Sequence, residues 1–358
     1  MNKCALSVVV VVLSLIFICS CAGKSRRPSK PVITVELTPS SGPLVVGKSL
    51  TVSVKSKVRE GTLKKTDLYL NNRLLVTETS GEFSYTITEL QETGVNTLRV
   101  FSEKNDGSSA VVIRNFTLLS DVVPVNYSYT VIRDFPHDTG HFTQGLEIRN
   151  GFLFEGTGEY GTSAIYRKNL PSGRVVNSVK MDNRYFGEGI TILEDKIYQL
   201  TYKNQIGFVY NLADFALVDS FRYASKEGWG LTNDGKSLIM SDGSAVLTWI
   251  DPAGFSVQRS IQVADHEKIY QYLNELEYDS GYLWANVWGS EQILRIEARS
   301  GRITGYVDLK GLLGTLPLNQ SDRLDVMNGI ALMPSTGHLL VTGKRWPRMF
   351  EIKVIISE

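Results

Sequence analysis

Phe142-Thr143-Gln144-Gly145-Leu146 opens the first of five related segments that fill this 358-residue chain from residue 142 onward. Each copy begins with a polar or aromatic residue, continues with Gly or Glu and an aliphatic residue, and runs into a β-like stretch. The five openers read Gln144-Gly145-Leu146, Glu188-Gly189-Ile190, Trp229-Gly230-Leu231, Asn274-Glu275-Leu276 and Asn328-Gly329-Ile330. Steps of 44, 41, 45 and 54 residues separate them, and a recurrence of that length marks a propeller or another repeat architecture. The first residue of the opener changes chemistry from copy to copy while its surroundings stay alike. A purely structural repeat has little reason to vary there, so the openers are candidate site residues.

Each opener leads into a first strand, followed by a second strand and a pair joined by a turn. In the first copy these are Gly151 to Glu155, Ser163 to Lys168 and Val175 to Met181, turned by Pro171-Ser172-Gly173. The fifth copy stops after Arg348 to Val354, one strand short, while an orphan strand, Tyr127 to Phe135, precedes the first copy. Pairing the two closes a ring and removes its open edges. The expectation is a five-bladed β-propeller over residues 127–358. Upstream, Leu50, Val52 and Val54 alternate with polar residues, as do Phe83, Tyr85 and Ile87, with turn signals at Asn71-Asn72 and Asn105-Asp106-Gly107. Roughly seven short strands of this kind predict an immunoglobulin-like β-sandwich over residues 32–119. Residues 120–126, with Pro124, read as a linker, and the fold class is all-β.

Residues 1–20 read as a signal peptide, with Lys3 ahead of an apolar run from Ala5 to Cys19 that is too short and wrongly flanked to span a bilayer. Ile18-Cys19-Ser20-Cys21 resembles a bacterial lipobox, which makes Cys21 the expected lipidation site and residues 21–31 a tether. Ordinary secretion with cleavage nearby is the alternative. Two acyl chains suffice for stable anchoring, so the membrane is an expected partner through lipid. The expected location is the bacterial cell envelope, facing the periplasm or exterior. Removing residues 1–20 takes away Lys3 and no acid, leaving 37 basic against 37 acidic residues. No basic field points to nucleic acid as a partner. The only cysteines are Cys4, Cys19 and Cys21, so the body has no disulfide, thiolate nucleophile or cysteine metal site. With only His137, His141, His266 and His338, neither a histidine-rich metal centre nor any cofactor is expected. His137-Asp138-Thr139-Gly140-His141 contains a glycine turn and reads as a loop.

A second set of residues, Thr157, Tyr202, Asp242, Trp288 and Lys344, follows the openers by 13 to 16 positions. In a propeller both sets face one channel mouth. They bring Gln144, Glu188, Trp229, Asn274, Asn328, Tyr202, Trp288 and Lys344 around one small volume, with Phe142 and Phe186 as added wall two residues before their openers. Asp242-Gly243 reads as a turn, and Trp249, Trp284 and Trp346 as core. One carboxylate, one ammonium, neutral amides and aromatics make a poor site for a hard cation. They also make a poor two-carboxylate glycosidase. They suit a small, mostly uncharged substrate whose reaction needs one proton shuttle and one oxyanion stabiliser.

These residues carry a resemblance. Phe142-Thr143-Gln144-Gly145-Leu146, Phe186-Gly187-Glu188-Gly189-Ile190, Leu273-Asn274-Glu275-Leu276-Glu277, Trp284-Ala285-Asn286-Val287-Trp288 and Val341-Thr342-Gly343-Lys344 together resemble the plant and bacterial glutaminyl-peptide cyclotransferase family. The similarity spans roughly 127–355. It implies a five-bladed propeller that converts N-terminal glutamine of peptides or proteins to pyroglutamate with loss of ammonia. The resemblance places the catalytic glutamate on Glu188 and polar binding groups on Gln144, Asn274 and Lys344. It places the aromatic pocket on Phe142, Phe186, Trp229 and Trp288. The chain departs from the family at Tyr202, where Trp is common after Leu-Thr; an aromatic wall survives, with a different pocket size. Glu188 is expected to shuttle the proton, while Lys344, Asn274 or Gln144 stabilises the developing oxyanion. Asn328 joins the expected binding set by its opener position. A non-catalytic propeller that binds peptides is the competing reading, and a calcium-dependent lactonase-like hydrolase is another, disfavoured by too few carboxylates in the two rings.

Overall fold

The computed structural model describes residues 29–315 and 324–356. The signal segment, Cys21 and most of the expected tether lie outside the described residues. Within them every regular element is a β-strand except one 3₁₀ turn at Leu312–Thr315, as the all-β expectation requires.

The first three openers each start a four-stranded antiparallel meander. These comprise Thr143–Arg149, Phe152–Thr157, Ala164–Asn169 and Val175–Lys180; then Gly187–Leu193, Lys196–Thr201, Ile206–Asn211 and Leu217–Arg222; then Leu231–Asn233, Leu238–Ser241, Val246–Ile250 and Val257–Gln262. The fourth group is Leu273–Asp279, Tyr282–Val287, Gln292–Glu297 and Ile303–Asp308. The fifth has Met327–Leu332, Leu339–Gly343 and Arg348–Ile355, and its missing strand is Val125–Pro136. That strand runs antiparallel to Arg348–Ile355 from Ser128 opposite Ile355 to Pro136 opposite Arg348, the pairing expected from the truncated fifth copy. Its first residues run parallel to Gly305–Val307, which merges the fourth and fifth groups into one eight-stranded sheet. Val125 and Asn126, expected in the linker, therefore belong to the strand.

Burial falls from the first strand of a group to the last. Every residue of Gly187–Leu193 is buried, whereas Leu217–Arg222 buries only Phe221. The first strands are covered on both faces because an apolar cluster lies between each pair of consecutive groups. Leu200 and Val209 meet Leu231 and Met240 in one cluster. Leu146 and Leu153 meet Ala331, Leu340 and Met349 in another, which joins the fifth group back to the first. Trp249, Trp284 and Trp346, read as core, are 4%, 3% and 2% exposed in these clusters.

The glycines of the openers have a steric cause. A Cβ on Gly230 would lie 2.0 Å from the Asn274 carbonyl oxygen, and one on Gly189 would lie 2.5 Å from the Leu231 nitrogen. Only glycine admits backbone this close. Gly230→Ala is expected to cost about 1–3 kcal/mol in denaturant unfolding. The fourth copy has Glu275 instead, which spans the gap from the other side. Its carboxylate accepts hydrogen bonds from Leu146 N (3.1 Å) and Ile330 N (2.8 Å) on two neighbouring first strands. Burial pushes this carboxyl well above the usual range, and nearby Glu277 adds to the shift.

Residues 32–119 form two sheets over one core. Val32–Thr38, Leu50–Lys57 and Glu82–Ile87 make the smaller; Leu44–Val45, Ser109–Leu119, Gly94–Lys104, Leu63–Leu70 and Arg73–Glu78 the larger. Leu50, Val52, Leu68, Leu98 and Leu118 fill the space between them. Hydrogen bonds from Thr93 N to Ser300 O (2.8 Å) and Val95 N to Gln262 Oε1 (2.9 Å) tie this part to a turn of the fourth group and the last strand of the third.

Candidate active site

Four of the five first strands carry a register shift at their opener: between Thr143 and Gly145, Gly187 and Ile190, Leu273 and Leu276, and Met327 and Ile330. A β-bulge of this kind re-aims a side chain at the end of a strand. Two residues before the opener, the backbone carbonyl accepts the N–H at or near the second-ring position. Phe142 O takes Gly158 N (2.8 Å), Phe186 O takes Tyr202 N (3.0 Å), Tyr272 O takes Trp288 N (2.8 Å) and Val326 O takes Lys344 N (3.0 Å). The two rings are thus locked in register by main-chain bonds.

The result is a cavity of about 370 Å³ lined by Phe142, Gln144, Phe186, Glu188, Tyr202, Trp229, Tyr272, Asn274, Trp288 and Lys344. The structure brings together nine of the ten residues expected there. The tenth, Asn328, is fully buried and sits behind the wall. Its amide donates to Thr143 O (3.0 Å) and Gln144 Oε1 (3.1 Å), which turns the donor half of the Gln144 amide away from it. Asn328 touches the cavity through Gln144. Of the remaining second-ring residues, Thr157 bonds the Ala164 backbone and Asp242 caps the turn at Ser244, as its reading as a turn residue anticipated.

Glu188 is 4% exposed and accepts no hydrogen bond from a protein group among the described residues. Burial pushes its carboxyl well above the usual range; Lys344 opposes the shift and Glu227 adds to it. Lys344 is also 4% exposed, with its ammonium 4.6 Å from the Phe142 ring centroid. Burial lowers its pKa, while Glu188 and Asp325 pull the other way. The two groups feel each other electrostatically without forming an ion pair among the described residues. Phe142 and Phe186 meet edge to face at 6.0 Å, and Phe186 and Tyr202 lie 5.7 Å apart with their planes tilted by 55°. Trp229 lies against Gly243, where a Cβ would come within 2.6 Å of the indole, and donates its Nε1 proton to Glu227 (3.0 Å).

Two residues escaped the sequence reading, Tyr272 in the wall and Glu227 beside it. Both stand two positions before an opener, as Phe142 and Phe186 do, so extending that offset through the third and fourth copies finds them. A third omission lies behind the wall. His137 and His141, read as loop residues, flank the turn closed by His141 N to Asp138 O, yet both imidazoles turn inward onto Glu155. His137 Nε2 lies 2.8 Å from Glu155 Oε1, and His141 Nδ1 2.9 Å from Oε2. These three side chains have the mutual spacing of metal ligands. The Lys168 ammonium stands against the same atoms, 2.5 Å from Glu155 Oε2 and 3.0 Å from His141 Nδ1, and fills the place of a cation. The cluster buttresses the cavity. His137 N bonds Pro347 O (3.0 Å) and Arg345 N bonds His141 O (2.8 Å), which fixes the turn carrying Lys344 against the loop carrying Phe142.

Comparison with known proteins agrees with this arrangement. Residues 108–354 match the sequence profile of the family described as glutamine cyclotransferase. A glutaminyl-peptide cyclotransferase from Arabidopsis thaliana is 41% identical over 225 residues, which cover 63% of this chain and 70% of that protein. The crystal structure of Myxococcus xanthus glutaminyl cyclase superposes with a TM-score of 0.59 at 32% identity, over 66% of this chain and 100% of that one.

Proposed function

This chain belongs to the glutamine cyclotransferase family, and on that premise we propose a role for each group in its cavity. It is an enzyme that converts the N-terminal glutamine of peptides or proteins to pyroglutamate with release of ammonia. Phe142, Phe186, Tyr202 and Trp229 hold the glutamine in a folded conformer, which brings its own amine and carboxamide together, and Trp288 contacts the substrate at the mouth. The neutral α-amine attacks the carboxamide carbon and forms the ring C–N bond. Glu188 takes the proton from that amine and delivers it to the carboxamide nitrogen, so the old C–N bond breaks and ammonia leaves. Lys344 faces the oxygen on which charge develops, and Gln144 and Asn274 bind the amide groups. Asn328 acts through Gln144. The observation that carries this reading is a buried Glu188 with no protein hydrogen bond among the described residues, lining the same otherwise neutral, aromatic cavity as a buried Lys344. Incubation with a Gln-initiated peptide should release stoichiometric ammonia, and peptide binding without ammonia would overturn it.

The raised pKa of Glu188 fixes the pH dependence. A base must be ionised, so kcat rises as pH climbs through that pKa. The acid limb is expected above the ordinary carboxylate value of about 4.3. Lys344→Met removes the charge that holds this pKa down, and its residual kcat should show an acid limb at still higher pH. A limb that stays in place would remove Glu188 from the role.

The five strand groups are read as the blades of a five-bladed propeller over residues 127–358, supported by the circle of five inter-group cores. Residues 32–119 are read as an immunoglobulin-like sandwich, supported by two sheets over one core. Cys21 is the proposed lipid attachment point at the cell envelope, supported by the sequence Ile18-Cys19-Ser20-Cys21.

A further inference from the structure

At the mouth of the cavity two large aromatic side chains stand half in solvent. Tyr272 is 54% exposed and Trp288 49%, whereas Trp249, Trp284 and Trp346 are at most 4% exposed. Three of the five Trp are therefore core, and the two that are not, Trp229 and Trp288, both line the cavity. The two rings meet at 6.2 Å with planes tilted by 47°, and together form one apolar shelf. Tyr272 has a φ of 66°, a left-handed backbone that a bulky residue adopts only under constraint from its surroundings. The constraint is visible: Tyr272 N bonds Gly243 O (2.9 Å), and Tyr272 O accepts Trp288 N (2.8 Å). Backbone strain that sets an aromatic ring out over a cavity mouth is a feature of a contact surface, since it does nothing for the core.

We propose that the Tyr272–Trp288 shelf is a second subsite, which binds the side chain of the residue that follows the glutamine and favours aromatic and large apolar residues there. The proposal rests on the cyclotransferase reading above. In that reaction the glutamine fills the interior, and its α-carboxyl is tied up in a peptide bond. The rest of the substrate must leave through the mouth, and its next side chain lands at the rim. Nearby rim charges are already matched: Arg345 pairs with Glu159 at 2.5 Å, and Lys203 lies 3.6 Å from Glu227. The shelf itself offers stacking and apolar area.

The test is kcat/KM of the full-length protein on peptides that differ only at the second residue: Gln-Gly, Gln-Phe and Gln-Glu. Gln-Phe is expected to exceed Gln-Gly roughly tenfold, the factor a well-packed aromatic contact gives. In Tyr272→Asn, which tolerates the left-handed backbone and lacks the ring, that ratio should fall towards unity, while Tyr272→Phe keeps it. Equal rates on all three peptides with the unaltered protein, or an undiminished ratio in Tyr272→Asn, would overturn the subsite and leave the cyclotransferase reading standing. Ammonia from none of the peptides would overturn both.

Discussion

Glu188→Gln is expected to lower kcat by a factor of about 10² to 10⁴, the range supplied by a positioned acid–base group, while leaving the fold as stable as before or more so. The second half of that result gives the experiment its force. Gln has the shape of Glu, and Glu188 accepts no hydrogen bond from the protein among the described residues, so the substitution breaks no network. Burial holds the Glu188 carboxyl well above its ordinary pKa. A carboxyl whose folded pKa is raised contributes its stability below the unfolded pKa and loses it as pH rises through the folded one. A neutral amide carries no such loss. At pH 8 the variant should therefore unfold at the same temperature as the parent or higher. A structural glutamate gives the opposite pattern, with activity and stability lost together. Full turnover in the variant, or a lowered unfolding temperature, would remove Glu188 as the proton carrier.

Much of this site is legible in the sequence because a repeat turns a three-dimensional question into an alignment of the chain with itself. The openers and second-ring residues occupy equivalent positions in each copy, so one geometry places them all, and nine of the ten expected residues line a single cavity. The strand-by-strand fold follows for the same reason, down to the pairing of Val125–Pro136 with Arg348–Ile355. What escapes is whatever the repeat does not carry. Asn328 holds the equivalent position but turns back to Gln144, because a fifth polar group finds a partner in its neighbour. Glu155 and Lys168 look like ordinary strand charges, since nothing local reveals that residues 137–141 fold inward over them. Glu275 reads as a departure from glycine, although it bonds two first strands 129 and 55 residues away. Contacts of that sequence separation leave no local pattern.

The Glu155 cluster should show the largest effect on stability. Glu155→Gln is expected to cost about 3–5 kcal/mol, because it leaves the Lys168 ammonium, 4% exposed, without a counter-charge. Burial opposes ionisation of Glu155, but Lys168, His137 and the histidine hydrogen bonds outweigh it and hold the carboxyl well below its usual range. A carboxyl lowered in this way contributes stability above its unfolded pKa and loses it as pH falls through the folded one. The difference between parent and variant should therefore be full at neutral pH and shrink only in strong acid. Replacing both partners, Glu155→Leu with Lys168→Met, removes the two charges together and should recover part of the loss, since a buried pair is replaceable by apolar volume where a lone buried ion is not, while His137, His141 and the Thr143 hydroxyl still lose their shared carboxylate. Denaturant unfolding of Glu155→Leu, Lys168→Met and the double variant decides it. Additive losses would mean that the two groups do not act as a pair. Recovered stability also isolates the role in the cavity: the double variant keeps the fold but lacks the carboxylate that His137 and His141 meet, and these two anchor the loop of Phe142 against the turn of Lys344. Its kcat should stay at least tenfold below the parent, and a kcat restored along with stability would show that apolar packing alone can hold that loop.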